Sequence, residues 1–457
     1  MMDNRNIWNS RIKEGKFFYS KEEEEIYNVF SEAINSFPNI DQWEIKHNVL
    51  IRLNGFRREE VDIIIFRKGS PYAVIEVRRN EYNLQRIISR IKHVAFAIFA
   101  PLWCVCIPTK MLYFKADEEP ENEDNWVDLK VDNIKKFLAE NVTDKTQDVK
   151  WDEFKTRCLN MLENQNIDTE KKEKLKSFFS GKNVSILNEQ NSFLFENEKD
   201  EDAFFQILLG NYTKDKLCRY TTVSSFFRTC NDKEQSMCCI VCMNDKSEVN
   251  YVAKKLNIFV DSNEINKCFI FSCCDENRCN DFTMFRLYAD DAKGVCLEYS
   301  IDKDLLQNSR FVLAPISYAL DKEQTHPELD FVCDMVKEKI HGKKLDLRRL
   351  SVWSHFFKPF EYRDEQEVRL LFFQDKNDSK WIYETHFGIV TPIMTFPIEE
   401  NNNQFPLILD KITLGPITKE ADINIEQFSY LIQNKNIRTT GSSNLVFKSP
   451  ISHYRGY

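Results

Sequence analysis

The hydrophobic pattern changes period several times over the first 115 residues. Residues 18–37, FYSKEEEEIYNVFSEAINSF, place Ile26, Val29, Phe30 and Ala33 on one helical stripe. Ser20 precedes them as a capping residue, and acids fill the first turn. Three strand-like runs follow: NVLIRL, VDIIIF and YAVIEV. Next, NEYNLQRIISRIKHVAFAIFA spaces Leu84, Ile87, Ile88, Ile91, Val94 and Ile98 as a helix would. LWCVCI and MLYFKA return to strand character. Helix, three strands, helix and two strands predict an α/β domain over residues 1–115, a mixed sheet flanked by helices.

The acidic, turn-rich stretch ADEEPENEDNW (116–126) marks a boundary. Residues 116–215 read as a loop and helical connector, with NIKKFLAENV, WDEFKTRCLNML and DAFFQILLG as its helices. Strand-like segments then return as CIVCM, KCFIFSC, GVCLEYS, EVRLLFF and KITLGP, predicting an α+β domain over 216–457. A chain of 457 residues exceeds what one core supports, which fits this division.

Composition narrows the function classes. With 42% hydrophobic residues the chain is a folded protein rather than a disordered one. Eleven glycines, none in a phosphate loop or GxGxxG fingerprint, argue against ATPase and Rossmann readings. The beginning, MMDNRNIWNSRIKEGK, lacks a signal-peptide core. Pro101 breaks the longest apolar run, HVAFAIFAPLWCVCIP, so the expectation is a soluble cytoplasmic protein with no membrane partner. Ten of the fourteen cysteines lie between Cys218 and Cys296, and they read as reduced thiols. CCIVC (238–242) and CCDENRC (273–279) raise a zinc site, but their spacing fits no standard pattern and CCIVC reads equally as a buried strand.

The chemistry concentrates in VDIIIFRKGSPYAVIEVRRN, residues 61–80. Asp62 and Glu76 are acids inside apolar strands, and alternation puts Tyr72, Val74, Glu76 and Arg78 on one face. Two ionised acids there would repel each other and lose hydration. A divalent cation, Mg²⁺ or Mn²⁺, resolves that conflict, because it needs one or two carboxylates plus water and phosphate oxygens. Such a cation activates water for phosphodiester cleavage. Residues 45–115 carry eight more Lys and Arg than Asp and Glu, in a chain of net charge −9. That local excess suits a DNA or RNA partner.

EEEEIYNVF, VDIIIF, AVIEVRR and the following helix resemble the PD-(D/E)xK nuclease superfamily, closest to the domain at the front of type I restriction motor subunits. The resemblance spans about residues 18–115 and implies a restriction-endonuclease-like fold. It implies that Asp62 and Glu76 bind metal and that Gln85 touches nucleic acid or the site. Arg78 stands where the family has lysine; it holds phosphate well but exchanges protons poorly. Lys92, on the helix face of Gln85 and Ser89, is the substitute the resemblance suggests. The bland alternative is a Glu76–Arg78 salt bridge in a domain that binds without cutting.

Residues 217–455 resemble the bacterial family called domain of unknown function 2971, through LCRYTTV, MNDKSE, CFIFSCCDE, FTMFRLYADDAKGVCLEY, FFKPFEYRDEQEVRLLF, KITLGP and SPISHYR. Arg219, Ser272, Glu365 and Glu367 follow the order used by arginine–serine–glutamate ADP-ribosyltransferases, which suggests an NAD or ligand site. The competing reading is a structural ion network of Arg219, Glu365, Glu367 and Arg369. Gly294 is expected to supply a turn, Asp290–Asp291 a solvated loop, and Lys358 an exposed partner for Glu361 or Asp364.

These readings combine into an expected effector of a bacterial defence or restriction-type system, with a protein partner drawn from that system. Its front domain would be a metal-dependent nuclease, and its back domain a sensor or a second effector. One alternative is an NAD-consuming ADP-ribosyltransferase with a non-catalytic docking domain. A second is a non-catalytic module that binds nucleic acid or a partner. Asp62 and Glu76 oxygens close enough to share one cation favour cutting; a Glu76–Arg78 bridge filling the site favours binding alone.

Overall fold

Capping and hydrophobic periodicity set the first elements. In the computed structural model, Ser20 accepts the Glu23 N–H at 3.1 Å and starts the first helix, α1 (Lys21–Asn35). The structure describes residues 12–54, 57–115, 125–139, 147–181, 183–189, 191–240, 251–252, 255–256, 268–374, 382–386, 389–441 and 444–451. Cys242, MNDKSE, most of the acidic stretch after Ala116 and the end of SPISHYR lie outside these residues.

The chain is mixed α/β and forms two units. One comprises residues 1–204, 252–262 and 329–351; the other comprises 205–251, 263–328 and 352–457. Among the described residues, no helix is long and apolar enough to cross a membrane.

The first unit is built on seven strands in sequential order: β1 (Ile12–Lys13), β2 (Trp43–Asn54), β3 (Arg57–Arg67), β4 (Ser70–Val77), β5 (Leu102–Ile107), β6 (Lys110–Lys115) and β7 (Val127–Asp128). Every pairing is antiparallel except β4–β5, which is parallel and needs a crossover. Helix α2 (Leu84–Ala97) supplies it. Strand alternation then divides the core. Ile64, Phe66, Val74, Trp103 and Val105 pack under α2 through Ile87, Ile88, Ile91 and Val94. Ile63, Ile65, Ala73, Ile75 and Cys104 face the other way, against α1 and α3 (Val131–Ala139).

A bulge between Ile65 and Phe66 changes the face of one residue. Tyr72 turns into the α1/α3 core, where its hydroxyl donates to the Leu138 carbonyl at 2.9 Å, rather than joining Val74 under α2. The stretch read as a connector contributes helices Trp151–Asn164 and Thr169–Ser180 and strands Ile186–Asn188 and Ser192–Phe195 to this unit. Phe154, Phe179, Phe193 and Phe195 pack edge to face among them.

The second unit has its own sheet. Its strands are β8 (Lys216–Thr221), β9 (Glu234–Cys239), β10 (Cys268–Asp275), β11 (Val295–Ile301), β12 (Phe311–Pro315), β13 (Glu367–Phe373), β14 (Ile382–His386), β15 (Ile389–Glu399), β16 (Leu407–Leu414) and β17 (Val446–Lys448). Their path runs β14-β15-β9-β10-β8-β11-β16-β17, and β13 pairs with both β10 and β12. Helices α4 (Val223–Asp232) and α5 (Ala421–Lys435) bury Phe226, Cys230, Phe428 and Ile432 in its main core.

Gly294 enters β11 through a tight approach. A Cβ there would sit 2.2 Å from the Thr221 carbonyl oxygen and 2.9 Å from Ala289. Both obstacles belong to packed backbone or a short side chain that cannot swing away. Gly294→Ala is therefore expected to reduce unfolding free energy by about 3 kcal/mol. A urea-unfolding midpoint equal to that of the parent protein would contradict this packing.

Candidate nucleic-acid site

The β3–β4 register joins Ile63 to Ile75 and Ile64 to Val74, so Asp62 and Glu76 fall opposite one another at the end of the ladder. Both acids point to the α2 side of the sheet, as alternation from Ile64 and Val74 requires. The Val77 N–H donates to Asp62 Oδ2 at 2.5 Å, fixing one oxygen. Glu76 is 2% exposed. Its Oε1 is gripped by the guanidinium groups of both Arg78 and Arg90. Its Oε2 is buried and has no hydrogen-bond partner.

Arg90 is the residue that sequence reading missed. It lies three residues after Ile87 and one before Ile91, at the edge of the apolar stripe of α2. A cation at that position must reach a buried acid or a solvent opening, and here it does both. Arg90 Nη1 donates to the Glu60 carbonyl at 2.9 Å and pairs with Glu59 Oε2 at 3.3 Å. The usable signal was a charged residue flanking the buried stripe.

Burial raises Asp62 most, and the neighbouring Glu76 charge adds to it, carrying its pKa to about 7. Glu23, in the first turn of α1, contributes to the same field. Burial also raises Glu76, against the opposing pull of Arg90 and Arg78. A cavity of about 610 Å³ opens beside Arg78 and Arg90, lined by Glu23, Arg79, Tyr82 and Arg86 among others; Asp62 and Glu76 are not in its lining. Gln85 is exposed and, like Lys92, is not part of this lining. The helix cation brought to the acids is Arg90.

Two carboxylates with one orphaned buried oxygen fit a Mg²⁺ or Mn²⁺ that keeps most of its waters. Asp62 and Glu76 would hold it. Among the described residues, no three His, Cys, Asp or Glu side chains converge as a metal-binding group. Cys218, Cys274 and Cys296 are buried beside Tyr220 and Phe285, and Cys242 of the zinc reading lies outside the described residues.

In the second unit, Arg219 lies over the Phe271 ring at 4.1 Å and donates to the Ser272 carbonyl. Glu367 and Arg369 form a buried fork, with Nε–Oε1 at 2.6 Å and Nη2–Oε2 at 2.9 Å. Lys358, expected to be exposed, is buried and bridges Glu365 at 2.9 Å and Glu367 at 2.8 Å. Burial alone would raise Glu367, but Arg369 and Lys358 outweigh it and hold its pKa at about 2. Arg369 and Lys358 between them engage both of its oxygens. The arrangement has the chemistry of an ion network that fixes β13.

Two outcomes follow for the first unit. The folded Asp62 carboxyl keeps its proton to about pH 7, whereas an unfolded one loses it near pH 4. The folded state binds the extra proton, so Asp62 subtracts from stability as pH rises through that window. Asp62→Asn should gain on the parent protein in urea unfolding between pH 4.5 and 7.5; parallel pH curves would refute it. Arg90→Met leaves Glu76 with one cation and should lower unfolding free energy by about 2 kcal/mol, while Arg86→Met changes it by less than about 0.5.

No curated protein and no solved structure matches the chain. No family match supports the nuclease-like reading of the first unit. Residues 284–370 match a family described as a protein of unknown function, DUF2971, a narrower span than the 217–455 expected from sequence.

Proposed function

We propose that the first unit is a metal-dependent phosphodiesterase acting on nucleic acid, in the defence or restriction-type setting that its resemblance implies. The observation that carries this reading is the buried, partnerless Oε2 of Glu76, on the strand paired with that of Asp62, whose proton is held to about pH 7. A cation bound there supplies the Lewis acid that activates water and offsets charge on the phosphodiester. Arg78 and Arg90 hold Glu76 oriented and oppose the rise that burial imposes on its pKa. Arg79 and Arg86, on the cavity wall, are placed to meet backbone phosphates. Arginine does not give up its proton at neutral pH, so these four position charge rather than relay protons.

The double guanidinium clamp on Glu76 favours a second reading, a nuclease-like domain that binds nucleic acid without cutting it. Both readings share the groove and differ in the chemistry.

Supercoiled plasmid and a structured RNA, incubated with the full chain and Mg²⁺ or Mn²⁺, separate them. Cleavage that falls at least about a hundredfold in Glu76→Ala supports the phosphodiesterase. Salt-dependent binding without cleavage, weakened by Arg86→Glu, supports the second reading. Absence of both would remove nucleic acid from the function of this unit.

A further inference from the structure

In the second unit Arg219 is engaged by the Ser272 carbonyl, and Glu365 and Glu367 by Lys358 and Arg369, yet that unit has a cavity elsewhere. It measures about 600 Å³, in the usual range for small-molecule sites, and lies between α4, α5 and the turn before Gly294. Phe428 lines it, and its buried ring packs at 5.1 Å on Phe226, tying α4 to α5. On the other side of the same helices the fold leaves two aromatic rings uncovered at the cavity. Phe227 is 51% exposed and Tyr430 is 59% exposed.

The polar lining is specific in kind. Gln427 and Asn434 stand seven residues apart on one face of α5, presenting carboxamides that both donate and accept. Lys293 brings a cation and Asp290 a carboxylate from the turn, and Ser224 brings a hydroxyl from the first turn of α4, 3.0 Å from that of Thr222. The turn is held in an unfavourable backbone form, with Asp290, Asp291 and Ala292 at φ of 50°, 49° and 68°. It falls inside the span that matches the family of unknown function.

We propose that this cavity binds a mononucleotide. Exposed rings beside carboxamides recognise a base, by stacking and by reading its hydrogen-bonding edge. Lys293, Ser224 and the positive end of α4 receive the phosphate. An apolar metabolite would leave the amides and Lys293 unmatched, and a free anion would leave the rings unmatched.

Calorimetric titration of the full chain with AMP, GMP, CMP, UMP, their nucleosides and inorganic phosphate tests the idea. At least one nucleotide should bind, with Phe227→Ala and Tyr430→Ala each weakening it about tenfold, or 1.4 kcal/mol. Lys293→Ala should weaken the nucleotide but leave its nucleoside unchanged. Because Phe227 and Tyr430 are surface residues, their variants should melt as the parent does, which keeps lost binding interpretable. Glu76→Ala should bind the nucleotide normally, separating this site from the groove of the first unit. Heat from inorganic phosphate alone, nucleotide binding untouched by both ring variants, or no binding by any nucleotide would each overturn the proposal.

Discussion

Burying Glu76 at the end of β4 is the constraint around which the first unit is arranged. An ionised carboxylate at that depth requires compensation. The chain supplies it from two directions, through Arg78 on the same strand and Arg90 on the crossover helix. Because α2 must cross from β4 to the parallel β5, its apolar stripe seats it over the sheet and delivers Arg90 to the acid. The compensation is incomplete. One oxygen of Glu76 stays partnerless, and Asp62 is pushed toward its neutral form beside it. A fold that only needed rigidity would satisfy both oxygens.

The second unit shows what full satisfaction looks like. The same tripeptide, Glu-Val-Arg, occurs at 76–78 and at 367–369. At the second place Arg369 takes both carboxylate oxygens, Lys358 adds a further bond, and the Glu367 N–H donates to the Tyr318 hydroxyl at 2.8 Å. Arg369 also donates to the His355 carbonyl, so neither end of the pair is left open. The pKa values separate in the same sense: Glu367 is held near 2, whereas Glu76 is raised. Two identical triplets thus end in opposite electrostatic states. Where both oxygens are matched the group acts as a fastener; at Glu76 one oxygen is left over.

The cavity on α4 and α5 follows a different logic, because its rings are apolar groups that the fold did not bury. Phe226 and Phe428 already fill the space between the helices and the sheet. Their neighbours Phe227 and Tyr430 consequently remain outside, lining a space whose walls mix apolar, amide, hydroxyl and charged groups. Preformed walls reduce the ordering cost of binding a small ligand.

Local spacing alone determined much of this protein: α1 with its Ser20 cap, the α2 stripe, the three strands before it and two after, and the placement of Asp62 and Glu76 on paired strands. These depend on contacts a few residues apart or on strict alternation, and both are written in order along the chain. Tertiary structure decided the rest. A bulge at Ile65 moved Tyr72 to the opposite core, helical phase chose Arg90 over Lys92, and the surroundings of two Glu-Val-Arg triplets made one an open site and the other a closed network. The residues that complete or withhold each hydrogen bond come from other elements, at distances that no local pattern encodes.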